Sequence, residues 1–587
     1  MPFLDELKRR RVLRAVSIYL AVAWLAFQVL DVVGPAVGAG DAVMRWLLIV
    51  AGVGLPVVFV LSWAVDVAPA ATPDGDAGTR EPWLTPRSVT IVAVLLAAGA
   101  AIGWLARPSP TGGAAGETGI ALAVLPFSSL TGPDDVYLSD GLTEDIVVAL
   151  QKAGPFAITG RASTERFRGS DAAPPQIAGE LGVGYVLTGT VRSAGEQLRV
   201  SVQLADGETG RGLWADQYDY ELTVDNLFDM YSDVAARVAD ALEARLAPDA
   251  ASRLADPPTE SLAAYELYMR GRSLWSQRLP ELMPAAIDFF GRAIAEDSTY
   301  ARAYSGLADA FILQAFYRPE VGREMLREAQ EAARAAIELD PVLAEAHTSL
   351  AYTRWLRDWN WEGAEASFLR ALELNPDYPT AHHWLGDMLG QWLRTDEAIA
   401  RLDRALELDP WAVAAHFDRA KASLWAGRFE DAIPYFERAV EIDPDYLAVT
   451  YGLHTEALEG AGREDDAFEV YRRGLELTEG GEAAARMDSA YTAGGWDRVD
   501  EVGLSRFFMT EEARSEPFFV GAAHLAAGDR EEALRWFTRA VDERAMFAPT
   551  LYSHPRIRGA LREDPRYREL VRRLGLDVDW DSISPGR

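Results

Sequence analysis

The 587-residue sequence contains no cysteine. Disulfide bonds, thiolate zinc sites, iron–sulfur clusters and cysteine nucleophiles are therefore excluded. Lysine is also scarce, because almost every basic residue is arginine and only Lys8, Lys152 and Lys421 are lysines. None of these lysines follows a glycine, so the chain lacks the Gly-Lys pair of a phosphate-binding P-loop.

Other catalytic signatures are missing as well. None of the seven histidines is followed by glutamate, and neither a G-x-S-x-G nor a complete G-x-G-x-x-G motif occurs. His382 and His416 are 34 residues apart, which places them in equivalent slots of a repeat, where packing explains them better than metal binding. We therefore expect a protein that is not an enzyme and has no catalytic residue, no cofactor and no metal site. The one alternative that stays open is an unrecognised enzyme in the region 119–250.

Positive charge is sparse, and the formal net charge is −32. The only dense basic cluster lies within residues 8–14. An acidic surface repels phosphate backbones, so nucleic-acid binding is not expected.

Long apolar runs are confined to the first 106 residues, at 12–33, 46–65 and 88–106. Each approaches the length of about 20 residues that a bilayer-spanning helix needs. The basic cluster before the first run places the amino terminus in the cytoplasm by the positive-inside rule. The sequence thus predicts a multi-pass inner-membrane anchor over 1–107, with the soluble domains in the periplasm. Gly99 and Gly103 have the spacing of helix-packed homodimers, although an Ala- and Gly-rich composition produces this spacing easily.

A linker rich in Pro, Gly, Ser and Thr at 108–118 precedes a region of mixed pattern at 119–250. Short β-rich runs and period-two alternation predict five strands, near 120–127, 156–159, 184–191, 198–204 and 212–218. Helical patterns lie between and after them, at 139–153, 175–181 and 226–246. The expected result is one small mixed sheet covered by helices.

Four motifs in this region are distinctive: Ala123-Val-Leu-Pro-Phe127, Leu138-Ser-Asp-Gly-Leu-Thr-Glu-Asp-Ile146, Gly189-Thr-Val191 and Leu213-Trp-Ala-Asp-Gln-Tyr-Asp219. They resemble the TolB-like, FlgO-related domain that bacterial membrane proteins carry between a transmembrane segment and tetratricopeptide repeats. The segment Phe3-Leu-Asp-Glu-Leu-Lys-Arg-Arg10, with Tyr19 and Gln28-Val-Leu-Asp31, resembles the leader of the relatives that lack a cyclase. Because few residues precede the first apolar run, no cytoplasmic cyclase or winged-helix output domain is expected.

The stretch from Ser139 to Asp145 supplies two aspartates and one glutamate where a strand should lead into a helix. A cation site is conceivable there. Acidic residues in the first turn of a helix also complement its dipole, which is the better explanation.

From 258 to 544 the pattern is helical and repetitive. The motif Ala-x-Glu-Leu/Ile-Asp/Asn-Pro recurs with its proline at Pro341, Pro376, Pro410 and Pro444, at intervals of 35, 34 and 34 residues. This is the period of the tetratricopeptide repeat, a pair of helices. Residues 545–587 are expected to form a capping end and tail.

One stripe on the first helix of each pair should face the concave groove of such an array. The residues of this predicted partner groove are Ser349, Thr353, Arg357, Thr380, His383, Asp387, Gln391, Phe417, Lys421 and Trp425. A wall of polar and aromatic side chains suits the capture of a protein or peptide.

The sequence therefore predicts a multidomain chain with three transmembrane helices, a small α/β (TolB-like) domain and an all-α tetratricopeptide-repeat superhelix. The predicted function is that of a non-catalytic, membrane-anchored scaffold or adaptor that binds protein partners in the repeat groove. The alternative is an extracytoplasmic sensor or regulatory component of a signalling or transcription system that acts through a separate cytoplasmic output protein.

Overall fold

The computed structural model describes residues 120–132, 135–154, 156–244, 257–446, 448–507 and 516–580. Among these residues no helix is both long enough and apolar enough to cross a membrane. Helix Gly322–Leu339, for example, has 18 residues but carries seven charged side chains. The prediction of a fold class with three transmembrane helices is therefore wrong, and so is the predicted multi-pass inner-membrane location. The runs at 12–33, 46–65 and 88–106, with Gly99 and Gly103, lie outside the described residues.

A six-stranded mixed sheet begins the described part of the chain. Its strands are β1 (Ile120–Val124), β2 (Ser128–Ser129), β3 (Phe156–Ile158), β4 (Tyr185–Ala194), β5 (Gln197–Asp206) and β6 (Gly212–Glu221). The order is β3-β1-β4-β5-β6, and β2 also pairs with β4. β1 is parallel to β3 and β4, whereas β4, β5 and β6 run antiparallel. β6 therefore lies at one edge of the sheet.

Four helices accompany the sheet: α1 (Val136–Ala153), α2 (Arg161–Glu165), α3 (Pro174–Leu181) and α4 (Val224–Ala241). The alternating pattern of β5 turns Val200 and Leu204 towards one face, where they share a buried cluster with Ile146 of α1 and Val234 of α4. On the opposite face a smaller buried cluster packs α3 against β1 and β4. We call residues 120–241 the sheet domain.

The rest of the described chain is helical, mostly in antiparallel pairs. Five pairs lead up to residue 442: α5 (Leu262–Ser276) with α6 (Met283–Glu296), α7 (Ala301–Tyr317) with α8 (Gly322–Leu339), α9 (Ala344–Leu356) with α10 (Trp361–Leu374), α11 (Pro379–Gln391) with α12 (Thr395–Leu408) and α13 (Val413–Trp425) with α14 (Phe429–Ile442). The later helices are α15 (Ala448–Gly460), α16 (Glu464–Glu479), α17 (Gly481–Phe507), α18 (Pro517–Ala526), α19 (Arg530–Asp542), α20 (Thr550–Ser553), α21 (Pro555–Leu561) and α22 (Pro565–Arg573).

A large side chain between two small ones fixes how closely the helices of a pair approach. In α6 the large residue is Phe290, which is fully buried between Ala286 and Ala293. A Cβ added to Gly271 of α5 would lie 2.8 Å from this ring, and one added to Gly306 of α7 would lie 2.5 Å from it. Phe290 therefore fills the space that these two glycines leave open.

The carboxy-terminal segment 516–580 packs back onto the central pairs. One buried apolar cluster joins residues 312–422 with residues 518–576. Trp361 Nε1 donates a hydrogen bond to the carbonyl of Leu574 at 2.8 Å, and Arg558 Nη2 donates to the carbonyl of Trp425 at 3.3 Å. The segment predicted as a capping end thus packs against the middle of the array.

The sheet domain also reaches the array at the turn between α12 and α13. Asp409 accepts hydrogen bonds from the backbone N–H of Ser163 at 2.8 Å and of Ala162 at 3.2 Å, and from the Ser163 hydroxyl. The backbone N–H of Gly160 donates to the Leu408 carbonyl at 2.7 Å. Asp409 therefore caps the start of α2 from a site 246 residues away in the chain.

This contact gives a prediction about stability. Replacing Asp409 by alanine leaves the N–H groups at the start of α2 without their acceptor, so we expect a loss of about 1–3 kcal/mol in the free energy of unfolding. Denaturant unfolding of the whole chain measures it.

Asp443 offers a matched control, because it precedes Pro444 as Asp409 precedes Pro410. Its carboxylate accepts from the nearby backbone N–H of Asp445 at 3.0 Å and makes no contact with the sheet domain. Equal losses for Asp409→Ala and Asp443→Ala would contradict a special role for Asp409.

A second prediction concerns pH and the carboxy-terminal segment. Burial raises the pKa of Glu516 to about 7, and its Oε1 has no hydrogen-bond partner among the residues that the structure describes. A carboxyl group with a higher pKa in the folded state binds its proton more tightly there, so its effect on stability becomes unfavourable as pH rises from about 4.5 to about 7. We expect Glu516→Gln to unfold at higher denaturant concentration than the unaltered chain at pH 8. The two chains should converge below about pH 4.5, and an equal difference at both pH values would refute this origin.

Candidate functional site

The helices leave none of the ten predicted groove residues fully exposed. Five are buried: Ser349, Thr353, Gln391, Phe417 and Trp425. The other five are partly exposed: Arg357, Thr380, His383, Asp387 and Lys421. The predicted stripe therefore belongs mostly to the packed interior of the array, and only part of it is accessible to a partner.

The hydrogen bonds of the turn prolines fix the register of the repeats. His347, His382 and His416 each contact the carbonyl of the proline six residues earlier, at distances of 2.8–3.0 Å. His383 and Phe417 each stand seven residues after the proline of their repeat. The corresponding residue after Pro341 is therefore Thr348 and not Ser349.

The extra residue of the 35-residue interval explains this shift. It lies in the turn at 357–360, which has four residues, whereas the corresponding turn at 392–394 has three. Trp359 in the longer turn has a φ of 54°. Ser349, Thr353 and Arg357 therefore stand one position later in the register than the other predicted residues. Thr348 and Tyr352, which take the register positions, are buried as well, so burial on α9 does not depend on this shift.

We use "inner wall" for the residues seven and eleven positions after each proline, which are Thr348, Tyr352, His383, Asp387, Phe417 and Lys421. Each lies on the first helix of its pair. The preceding repeat places Asp309 in the same slot as Tyr352, Asp387 and Lys421, because each stands eight residues after the first residue of its helix. The inner wall thus combines carboxylates, a lysine, a histidine and aromatic rings.

Four ionisable side chains of α11 and α13 form a connected group, which we call the charge cluster: His383, Asp387, Asp418 and Lys421. His383 Nε2 lies 2.7 Å from Asp418 Oδ2, and Lys421 Nζ lies 2.9 Å from Asp387 Oδ1 and also contacts Asp418. The four side chains are 12–16% exposed. They can therefore be reached from solvent but are largely shielded by the surrounding helices.

The electrostatics of the charge cluster are those of a satisfied ion network. Burial disfavours the ammonium of Lys421, but the carboxylates of Asp387 and Asp418 raise its pKa overall. Burial and the charge of Asp418 raise the pKa of Asp387. Burial also acts to raise the pKa of Asp418, but Lys421 and His383 lower it overall. Such a cluster can recognise polar groups of a partner, and it contains no nucleophile placed beside a free base.

The inner side of the first repeats is covered by helix α1 of the sheet domain. Ser273 of α5 donates a hydrogen bond to Asp140 at 2.7 Å, and Arg272 pairs with Glu144 at 2.7 Å. Arg302 of α7 pairs with Asp145 at 2.6 Å. A helix of the same chain therefore occupies the surface that α5 and α7 would otherwise offer.

These contacts explain the acidic stretch from Ser139 to Asp145. Helix α1 starts at Val136 and has no acidic residue in its first turn, so the predicted complement to the helix dipole is wrong. The described residues contain no group of three or more His, Asp or Glu side chains placed to hold a metal ion. The carboxylates of this stretch serve the contact with the repeats.

The sequence reasoning missed Arg272, Arg302 and Asp409. In the sequence each of them resembles an ordinary repeat residue. Asp409, for example, stands in the recurring Asp/Asn-Pro motif. Only the fold brings them to the sheet domain.

Comparisons with known proteins agree with the helical pairs. Two family models, both described as tetratricopeptide repeat, match residues 393–446 and 424–487. A Rhizobium meliloti (strain 1021) protein named "Putative adenylate cyclase 3" is 31% identical over 290 residues, which cover 47% of this chain. The chain spans 41% of the length of that relative.

Several solved structures match part of the chain, each with a low TM-score. YrrB, a repeat protein with an unusual peptide-binding site, is 20% identical and covers 34% of this chain and 97% of its own, with a TM-score of 0.26. The type IV pilus biogenesis factor PilW is 19% identical and covers 38% and 97%, with a TM-score of 0.31. The thermophilic repeat protein TTC0263 of Thermus thermophilus is 20% identical and covers 34% and 99%, with a TM-score of 0.28. The family models confirm the predicted tetratricopeptide repeats over residues 393–487.

Proposed function

We propose that this chain is a non-catalytic adaptor that holds a protein partner on the inner wall of α11 and α13. The observation that supports this most directly is the way α1 packs on α5 and α7. There, a helix of the same chain is held by pairs between its carboxylates and arginines of the repeats, at 2.6 and 2.7 Å. A helix or extended segment of another protein would use the same kind of contact one or two repeats further along.

The composition of the inner wall favours a polar partner. The charge cluster contains two carboxylates, one ammonium group and one imidazole, all partly exposed. Thr380, at the start of α11, is partly exposed beside it. A partner segment that presents hydrogen-bonding side chains would add to the contacts that these groups make with one another, whereas a purely apolar segment would displace water from them without replacing its hydrogen bonds.

A second candidate function is that of a regulatory component that acts on a separate output protein. Its support is the 290-residue similarity to the Rhizobium meliloti relative, whose name is that of a cyclase. The two candidates differ in the identity of the partner: an output enzyme or transcription regulator fits the second, and other proteins fit the first.

The prediction is that Thr380→Arg weakens partner binding about tenfold or more, since a bulky cation one turn before His383 on α11 would block the segment at the edge of the inner wall and disturb the charge cluster. The whole chain is used to crosslink and identify a partner, and the dissociation constant of that purified partner is then measured.

Ala366→Arg is the matched control, because it introduces the same side chain at an exposed position on α10, the second helix of the preceding pair. This variant should bind as the unaltered chain does. Both variants should unfold at the same denaturant concentration, since otherwise a folding defect would explain the loss. If Thr380→Arg binds normally and Ala366→Arg does not, the partner uses the outer face and the proposal is wrong.

A further inference from the structure

A small cavity lies where the carboxy-terminal segment meets the repeats. Its volume is about 230 Å³, and it is lined by Arg323, Leu326, Arg357, Asp358, Arg544 and Met546. Arg323 and Leu326 belong to the start of α8, Arg357 and Asp358 to the turn after α9, and Arg544 and Met546 to the loop after α19. The cavity therefore draws on three separate parts of the array.

The charge of this cavity is opposite to that of the whole chain. Three guanidinium groups face one carboxylate, in a protein with a formal net charge of −32. Leu326 and Met546 are 2% and 6% exposed and give the cavity an apolar floor, which lowers the local screening of charge. Three cations brought together repel one another unless an anion lies between them.

Two of the arginines are held in place by neighbouring groups. Arg357 Nη1 donates to Gln330 Oε1 at 3.1 Å and also contacts Asp358. Arg544 Nη1 donates to the Arg357 carbonyl at 3.2 Å, and its guanidinium lies 4.9 Å from the centre of the Trp359 ring. These contacts use some of the donors of each group and fix its orientation, and they leave the other N–H donors for a ligand.

Arg323 differs from the other two. Its side chain is exposed and makes no ion pair or hydrogen bond with any residue that the structure describes. Asp358, the only acidic residue that lines the cavity, already contacts Arg357 and accepts a hydrogen bond from Gln330 Nε2 at 2.6 Å. The positive charges of Arg323 and Arg544 are therefore not neutralised by a lining carboxylate.

We propose that this cavity binds the oxyanion group, phosphate or carboxylate, of a small molecule. Arginine forks pair with both groups through two parallel N–H donors, and a cavity of this size accommodates the group with a short carbon chain but excludes a folded protein surface. The bound anion joins α8 and the turn after α9 to the loop after α19. It therefore holds the carboxy-terminal segment against the repeats. This inference is independent of the proposed adaptor function.

The test is calorimetric titration of the whole chain with orthophosphate and, separately, with succinate. We expect saturable binding of at least one of them, with a dissociation constant below about 10 mM, and a rise in the unfolding temperature at saturating ligand. Phosphate binding alone would assign a phosphate-bearing ligand, and succinate binding alone would assign a carboxylate.

Arg323→Gln and Arg544→Gln should each weaken binding about tenfold or more, since each removes a charge-assisted pair. Arg370→Gln is the matched control, because Arg370 is an exposed arginine of α10 outside the cavity, and it should bind as the unaltered chain does. Arg544→Gln also removes contacts with Trp359 and Arg357. If it does not fold, Arg323→Gln decides alone.

Absence of saturable binding of both anions would overturn the proposal. So would equal affinity in Arg323→Gln and the unaltered chain, or an equal loss in Arg370→Gln, because binding would then reflect the general attraction of anions to surface arginines.

Discussion

The ion pair between Asp145 of the sheet domain and Arg302 of α7 is the contact on which the arrangement of the two parts depends. The groups are 2.6 Å apart, and their side chains are 3% and 13% exposed. Tyr265 of α5 donates to the same carboxylate, so three elements meet at this point. Desolvation of both charges is costly, and removing one partner would leave the other buried and unpaired. The main effect of the pair is therefore to fix the position of α1 on the repeats, and its contribution to stability is secondary.

The repeats were the most predictable part of the molecule, because their signal is local and recurs. The proline spacing alone predicts the helix pairs, and two of these pairs pack around the fully buried Phe290 and Phe368. The register of one stripe was less predictable. A single extra residue in the turn at 357–360 places Ser349 and Thr353 one position out of the predicted register, and helical periodicity alone does not reveal in which turn an extra residue lies.

Long-range contacts were beyond the reach of the sequence. Asp145 and Arg302 are 157 residues apart, and Ser163 and Asp409 are 246 apart. Each of these residues has an ordinary local role that describes it equally well. Helix α1 begins three residues earlier than the pattern predicts, so the carboxylates of its acidic stretch fall in the second and third turns. There Glu144 and Asp145 pair with arginines of the array, whereas Asp140 accepts a hydrogen bond from Ser273 of the array and pairs with Arg168 of the sheet domain. The candidate site is therefore partly a consequence of domain packing, because covering α5 and α7 leaves α11 and α13 as the accessible inner wall.

Helical repeat arrays usually gain or lose units with little effect on the rest, because each unit touches only its neighbours. Here the sheet domain touches α5 at one end and the turn after α12 at the other, across four consecutive helix pairs. Adding or deleting one pair in between would move Asp409 away from the start of α2 while Arg302 still held α1. The width of the sheet domain thus sets the number of helix pairs between its two contacts with the array. The repeats themselves do not set this number.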